Sequence, residues 1–281
     1  MKKLVLLLCV GLFSLGTTAQ VETPAPSPFQ KIEQKVGLSD VTLEYSRPSV
    51  KGRKIYGGLV PYNKLWRTGA NGNTKITFSD DITIGGKSLK AGSYAIYSKP
   101  GETNWEIIFY SDANNWGTPR NWDDSKVAAI VKTPVFDMPM SVETFTISFD
   151  DIKNNGATIG IIWENVYVGV AFEVDTDTKV LASIENVMNG PSANDYYAAA
   201  VYYMEAGKDI NKSKMWIDKA IEMREKPAFW YHRQQSLIYA KAGDKKGAVK
   251  AAQTSLKLAK EAGNDDYVAL NTKSLKEWGA M

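Results

Sequence analysis

The sequence predicts an α+β multidomain chain: an antiparallel β-sandwich, or a barrel-like closure of the same strands, followed by an α-helical tetratricopeptide-like repeat domain. Three observations predict it. Between residues 29 and 188, apolar residues recur with period two in many short runs, and no helical pattern interrupts them. At Asn189-Gly190-Pro191 the period becomes helical. Beyond that point Ala206-Gly207 recurs as Ala242-Gly243, and Lys219-Ala220-Ile221 aligns with Thr254-Ser255-Leu256, offsets of 36 and 35 residues. Helix pairs of about 34 residues are the tetratricopeptide period.

The first element is an expected export signal over residues 1–19. Lys2 and Lys3 precede an apolar run from Leu4 to Leu15, and Thr17-Thr18-Ala19 supplies small residues for cleavage near Ala19-Gln20. The run is too short for a spanning helix, which needs roughly 20 residues. The expectation is therefore an exported chain, periplasmic or extracellular, with no transmembrane span. Cys9 is the only cysteine and leaves with the signal, which removes disulfides, thiolate catalysis and Cys-ligated metals. Residues 20–28 hold Pro24, Pro26 and Pro28 and read as an extended linker.

The sandwich spans residues 29–188. Val41, Leu43 and Tyr45 alternate with polar residues, as do Ile76 with Phe78 and Ile82 with Ile84, and Gly85-Gly86 suits a tight hairpin. Aromatic and β-branched runs follow at Tyr94–Tyr97 and Trp105–Tyr110. Phe145, Ile147 and Phe149 share one face of a strand; Asn155-Gly156 signals a hairpin into Ile159, Ile161 and Trp163, and Glu164-Asn165 a second turn into Val166–Val174.

The helical domain spans residues 189–281. Ser192 with Asp195 forms a capping pattern, Gly207, Gly243 and Gly263 are stops, and Asp244 and Asn264 are caps. Predicted inner faces carry Tyr197, Val201 and Met204, then Trp216, Ala220 and Met223, then Trp230, Leu237 and Ile238. The last two carry Ala248, Ala252, Leu256 and Ala259, then Tyr267, Leu270, Leu275 and Trp278. Two helix pairs and a closing helix are near the minimum for such an array, so it is expected to pack on the β domain or on a protein partner.

The chain holds 34 basic and 31 acidic residues and one histidine. This balance argues against nucleic-acid binding. His232 alone cannot build a multi-histidine metal site. No nucleophile elbow, metalloprotease or phosphate-loop motif is present, and none for a cofactor. The charge is uneven, however. Residues 20–189 hold 17 basic and 20 acidic residues, yet from Tyr45 to Ser79 there is no Asp or Glu. That stretch carries Arg47, Lys51, Arg53 and Arg67 among its cations, with Tyr56, Trp66 and Asn71 interleaved. Arg grips carboxylate or phosphate bidentately, and aromatic rings stack on sugars. The competing reading is a self-packed loop whose cations pair with carboxylates elsewhere. The secondary candidate is the Ser111–Lys126 loop, with Trp116, Arg120, Trp122 and Asp123. It reads either as a sugar-facing surface or as a loop with its tryptophans tucked into the core.

Arg47-Pro48-Ser49-Val50-Lys51-Gly52-Arg53, then Trp66-Arg67-Thr68-Gly69-Ala70-Asn71, then Ala91-Gly92-Ser93-Tyr94 resemble the pattern of domain of unknown function 2911. The resemblance runs from about Ser27 to Asp175 and more weakly into the helical tail. It implies export in Gram-negative bacteria and a shared β-rich domain, and it implies no activity.

Three functions remain open. The first is a periplasmic binding or interaction module that recognises an anionic or glycan-like ligand, with helical repeats for protein contact. The second is an envelope hydrolase acting on carbohydrate or peptide, with Arg67 or Lys51 stabilising developing negative charge and Asp123 as acid or base. The third is a scaffold with no small ligand, whose basic stretch is fully paired internally.

Overall fold

The computed structural model describes residues 23–188 and 190–281. The expected export signal and its cleavage site, Cys9, the start of the linker, and Asn189 lie outside the described residues. Strands β1 (Phe29–Val36), β2 (Ser39–Ser46), β3 (Thr74–Phe78), β6 (Gly92–Lys99), β7 (Asn104–Tyr110) and β8 (Val127–Pro134) form one sheet in the order β1-β2-β3-β6-β7-β8. Strands β4 (Ile82–Ile84), β5 (Lys87–Leu89), β9 (Phe136–Lys153) and β10 (Gly156–Val174) form the other, in the order β5-β4-β10-β9. Every pairing is antiparallel. Both sheets are open, so the strands form a sandwich and not a closed barrel.

The period-two pattern sets the core, because alternate side chains of a strand share a face. Leu43 pairs with Ile76, and Ile76 with Tyr94, so one stripe of apolar residues runs across neighbouring strands. Between the sheets, Trp105, Ile107 and Phe109 of β7 meet Phe145 and Ile147 of β9 and Ile161 and Trp163 of β10, all buried. Burying side chains of this size stabilises by roughly 1.5–3 kcal/mol each. A smaller cluster lies on the other face of the six-stranded sheet. There Tyr97, Ile108 and Tyr110 are buried beneath Leu65, Trp122 and Val127.

The Gly85-Gly86 turn occurs as predicted, with φ of 55° and 74°. The hairpin into β10 is also present, but Lys153 pairs with Gly156, so its turn is Asn154-Asn155. The second predicted turn, at Glu164-Asn165, is absent. β10 runs through it as one strand bent at a bulge, with Glu164 at φ 50° and register shifts on either side. An inserted residue at a bulge breaks the alternation much as a turn does.

Helices follow: α1 (Thr176–Val187), α2 (Ala193–Glu205), α3 (Ile210–Glu222), α4 (Phe229–Lys241), α5 (Lys245–Glu261) and α6 (Asp265–Glu277). Helix α1 lies in the stretch that the sequence assigns to the sandwich domain. Asp175 caps it by accepting from Thr178 N–H at 3.2 Å. Its Thr-rich first turn is a weak helix former, which hides it from periodicity. The predicted stops hold: Gly207, Gly243 and Gly263 sit at φ 65°, 80° and 64°. Ser192 and Asp195 form a reciprocal capping box, and Asp244 and Asn264 cap α5 and α6.

Neighbouring helices pack on one another through small residues, with Ala200, Ala220, Ala252 and Ala259 buried. The predicted face of α5 is correct. On α4 and α6 it holds in part: Ile238 and Leu275 are buried as predicted, but Trp230 and Leu270 are exposed and Tyr231 is buried beside Trp230. Met223 ends α3 as an exposed cap residue. Ile184 and Met188 of α1 join the core of α2 and α3, while its first residues touch the sandwich. Thr176 Oγ1 donates to Asn154 O at 2.5 Å, and Lys179 pairs with Asp80 at 2.6 Å. Among the described residues no helix is long and apolar enough to cross a membrane.

Candidate functional site

The connection between β2 and β3, residues 47–73, crosses from one sheet to the other. Ser49 bridges to Thr144 of β9, and Trp66 to Ser98 of β6. Phe145 N–H donates to Pro48 O at 2.8 Å, and Trp66 exchanges backbone bonds with Ser98 at 2.8 and 2.9 Å. The middle of the connection sends Ile55, Tyr56 and Val60 into the core. It is a long loop held at both ends and in the middle, which is how a loop becomes a rigid platform.

The connection and the sheet it crosses enclose a cleft of ≈ 350 Å³. Its aromatic base is Trp66 stacked on Trp163, with centroids 6.1 Å apart and planes at 17°. Trp105 and Phe145 meet Trp66 edge-on at 6.1 and 5.3 Å and hold the ring in place. Trp66 Nε1 donates to Gly69 O at 3.1 Å, so its polar atom is satisfied within the loop. Leu59 and Val60 add apolar wall, and Arg53, Arg67 and Asn71 complete the polar lining with Ser27.

Among the described residues the two arginines are the only charged ones that line this cleft. Arg53 Nε donates to Val50 O at 3.0 Å and its Nη2 to Ser49 O at 2.6 Å. Arg67 Nη1 donates to Asn71 O at 2.6 Å. All three acceptors are neutral carbonyls. Among the described residues neither guanidinium forms an ion pair, so each is oriented without being neutralised. Remaining N–H donors on both forks are free for an acceptor.

Strain marks the corner that carries these groups. Thr68 is buried and β-branched yet sits at φ 53°, and Asn71 is at φ 60°. Such backbone costs roughly 1–3 kcal/mol and persists only where its surroundings enforce it. Here Thr68 Oγ1 lies 2.9 Å from Ser98 Oγ, and Thr68 O accepts from Thr74 Oγ1 at 2.5 Å.

The remaining predicted residues of this segment lie elsewhere. Arg47 turns to β9, giving Nε to Phe145 O at 3.0 Å and Nη2 to Thr146 Oγ1 at 2.7 Å. It ties the sheets together. Lys51 anchors the loop through its backbone N–H, which donates to Glu143 Oε1 at 2.9 Å, and its side chain is exposed. Tyr56 is buried under the loop against Trp105 and Trp163, beyond the reach of a ligand. Its hydroxyl has no partner, and burial drives its pKa far up. Of the other cations in the acid-free stretch, Lys75 pairs with Glu44 at 2.7 Å. The stretch is therefore only partly paired internally.

The second candidate loop joins the first. Asn73 Nδ2 donates to Ala113 O at 3.0 Å, and Asn73 N–H to Asn115 O at 3.2 Å. Tyr97 hydroxyl donates to Gly117 O at 3.1 Å; burial pushes that phenol up to about 12. The Arg67 guanidinium packs against Gly117, where a Cβ would meet Arg67 Cζ at 3.0 Å.

The loop's own side chains divide. Trp122 is tucked in, stacked on Tyr110 at 4.5 Å, with Nε1 donating to Asp124 Oδ1 at 2.9 Å. Trp116 stands out, 81 % exposed, and Arg120 is exposed. Asp123 caps the turn Asp124–Lys126, accepting from Ser125 Oγ at 2.6 Å and Ser125 N–H at 3.0 Å. The Ser125 hydroxyl, and then its backbone N–H, hold the Asp123 carboxyl below its usual range. Asp123 does not line the cleft, and no carboxylate among the described residues does. His232 lies on α4 beside Gln235, and burial lowers its pKa.

Among the lining residues that sequence reasoning did not single out is Trp163. Its period-two position marks it as core-facing, and nothing local distinguishes a core tryptophan from one at the base of a cleft. No group of three or more His, Cys, Asp or Glu side chains gathers as a metal site among the described residues.

A family model described as "Protein of unknown function (DUF2911)" matches residues 27–172, which include the whole cleft. No curated protein and no solved structure matches the chain.

Proposed function

The chain belongs to the DUF2911 family of proteins of unknown function, and within that family we propose that it is an exported binding protein whose cleft takes an anionic, glycan-like ligand. The observation that carries this reading is the state of Arg53 and Arg67. Both guanidiniums are positioned by backbone carbonyls on a rigid loop, and among the described residues neither is neutralised by a carboxylate. A carboxylate or phosphate on the ligand supplies the missing charge through charge-assisted hydrogen bonds. The half-buried Trp66, backed by the buried Trp163, offers an apolar base for the ring that carries it. Binding without catalysis is the better reading, since the cleft has two cations and no acid or base beside them.

The N-terminal charge, apolar run and small residues support export into the periplasm or beyond. We read the helical array as tetratricopeptide-like and as the protein-facing surface. Its support is the repeat of Ala206-Gly207 at Ala242-Gly243, both glycines ending helices at positive φ, and the buried alanines between helices.

Thermal-shift and calorimetric titration of residues 20–281 with glucuronate, galacturonate, sugar phosphates and inorganic phosphate tests the cleft. Binding of an anion to the native state raises the melting temperature, and the shift shrinks at high salt. Each of Arg53→Ala and Arg67→Ala is expected to cost about 1.5–3 kcal/mol of affinity, the worth of a hydrogen bond to a charged group. Equal affinities in wild type and the double variant overturn the site.

A further inference from the structure

A second cleft, of ≈ 410 Å³, lies beside the first and shares Asn71 with it. Its chemistry is different. Amides dominate the polar lining, with Asn71 and Asn73 from one loop and Asn114 and Asn115 from the other. Its one cation and one anion, Lys75 and Glu44, neutralise each other at 2.7 Å. Two of its walls are Phe29, 64 % exposed, and Trp116, 81 % exposed.

Large aromatics this exposed forgo burial that would stabilise the fold, and a Trp has 150–250 Å² to bury. The loop that carries Trp116 is nonetheless fixed in place: it is bonded to Asn73 from both sides, and the Trp116 ring passes 3.9 Å from where a Cβ of Gly72 would stand. An exposed aromatic face beside four amides, three of which (Asn71, Asn73 and Asn115) are oriented by bonds from Nδ2 to neighbouring oxygens, with no net charge, suits an uncharged sugar ring, which has one apolar face and a rim of hydroxyls.

Resting on the reading of the first cleft as an anion site, we infer that the ligand is an acidic sugar chain of two or more residues. One residue places its carboxylate between Arg53 and Arg67, and its neighbour lies across Asn71 on Trp116. Each cleft is near the small end of the roughly 300–1,000 Å³ that ligand pockets span, so a longer ligand needs both. Asn71 is the hinge between them. Its backbone O holds Arg67 at 2.6 Å in one cleft, and its side chain lines the other while donating to Ser46 Oγ at 3.2 Å.

Uronic-acid oligosaccharides of one to four residues, their neutral counterparts of equal length, and inorganic phosphate are titrated against wild type, Trp116→Ala, Trp116→Tyr and Arg53→Ala/Arg67→Ala. Trp116 is exposed, so its variants are expected to melt with wild type. Affinity for acidic chains is expected to rise about tenfold or more from one residue to two. Trp116→Ala removes that gain and leaves the monomer's affinity unchanged, while Trp116→Tyr restores most of it. The intrinsic fluorescence change that the dimer adds over the monomer disappears in Trp116→Ala.

Equal affinity for monomer and dimer, or a gain that survives Trp116→Ala, overturns this inference even if the arginine variant abolishes binding. In that case the anion reading stands alone. Loss of neither anion nor sugar binding in the arginine variant overturns the anion reading, and this inference with it. Neutral chains that bind as tightly as acidic ones do the same.

Discussion

Arg67 is held by a neighbour that has no side chain. Its guanidinium lies against Gly117, whose φ is +81° and whose missing Cβ leaves room at 3.0 Å from Cζ and Nη1. Gly117→Ala therefore acts twice. It strains the turn by roughly 1–2 kcal/mol, and it pushes Arg67 out of the first cleft. Anion affinity is expected to fall several-fold in titration, short of the loss in Arg67→Ala. An unchanged affinity means that the Ser111–Lys126 loop does not position Arg67. The sequence marks Arg67 as interesting because it stands in an acid-free stretch, but its partnership with Gly117 spans 50 residues of chain and leaves no local trace. Trp122 and Trp116 make the same point from opposite sides. Both are tryptophans in one polar loop, and only packing separates the one stacked on Tyr110 from the one facing solvent.

Elements were legible where their signals are local. A strand's inward face is read from alternation, and Val41, Leu43 and Tyr45 are all buried. A helix end is read from its cap, and Gly207, Gly243 and Gly263 all stop helices. The Glu164 bulge and helix α1 were illegible because the first imitates a turn and the second begins with poor helix formers. Helix α1 is also where the two halves of the chain meet, through Lys179 and Asp80. The hydrogen bond from Lys179, followed by that from Ser39, lowers the Asp80 carboxyl from 3.8 to about 2. A carboxyl lowered by folding stabilises above its unfolded value, and that contribution is lost as pH falls through about 2. The pair is partly exposed, so Asp80→Asn is expected to cost under about 1 kcal/mol at pH 7. In urea titrations the gap between variant and wild type should narrow below pH 4 and close near pH 2. A gap that stays constant with pH means the pair does not carry the contact.

The whole molecule holds separate cores. One lies between the sheets, with Trp105, Phe145 and Trp163 at its centre, a small one lies on the outer face of the six-stranded sheet around Tyr97, and two lie among the helices around Ile217 and Leu256. Scanning calorimetry of residues 20–281 is expected to show two transitions. Trp163→Ala should lower the sandwich transition by about 3–5 kcal/mol and leave the helical one in place. One transition that moves as a unit would show that the halves unfold together. The sequence alone settled that strands precede helices, which residues face inward along most strands, where most helices stop, and that residues 45–79 hold cations without acids. It did so because alternation, capping and composition act over a few residues. It took the fold in three dimensions to bring Arg53 and Arg67 into one cleft while Arg47 clamps β9 and Tyr56 is buried, to set Trp163 beneath them, and to join two loops far apart in the chain at Asn71 and Asn73. Those contacts depend on how two sheets stack and where a long loop crosses between them, and stacking is a property of surfaces that no stretch of neighbouring residues contains.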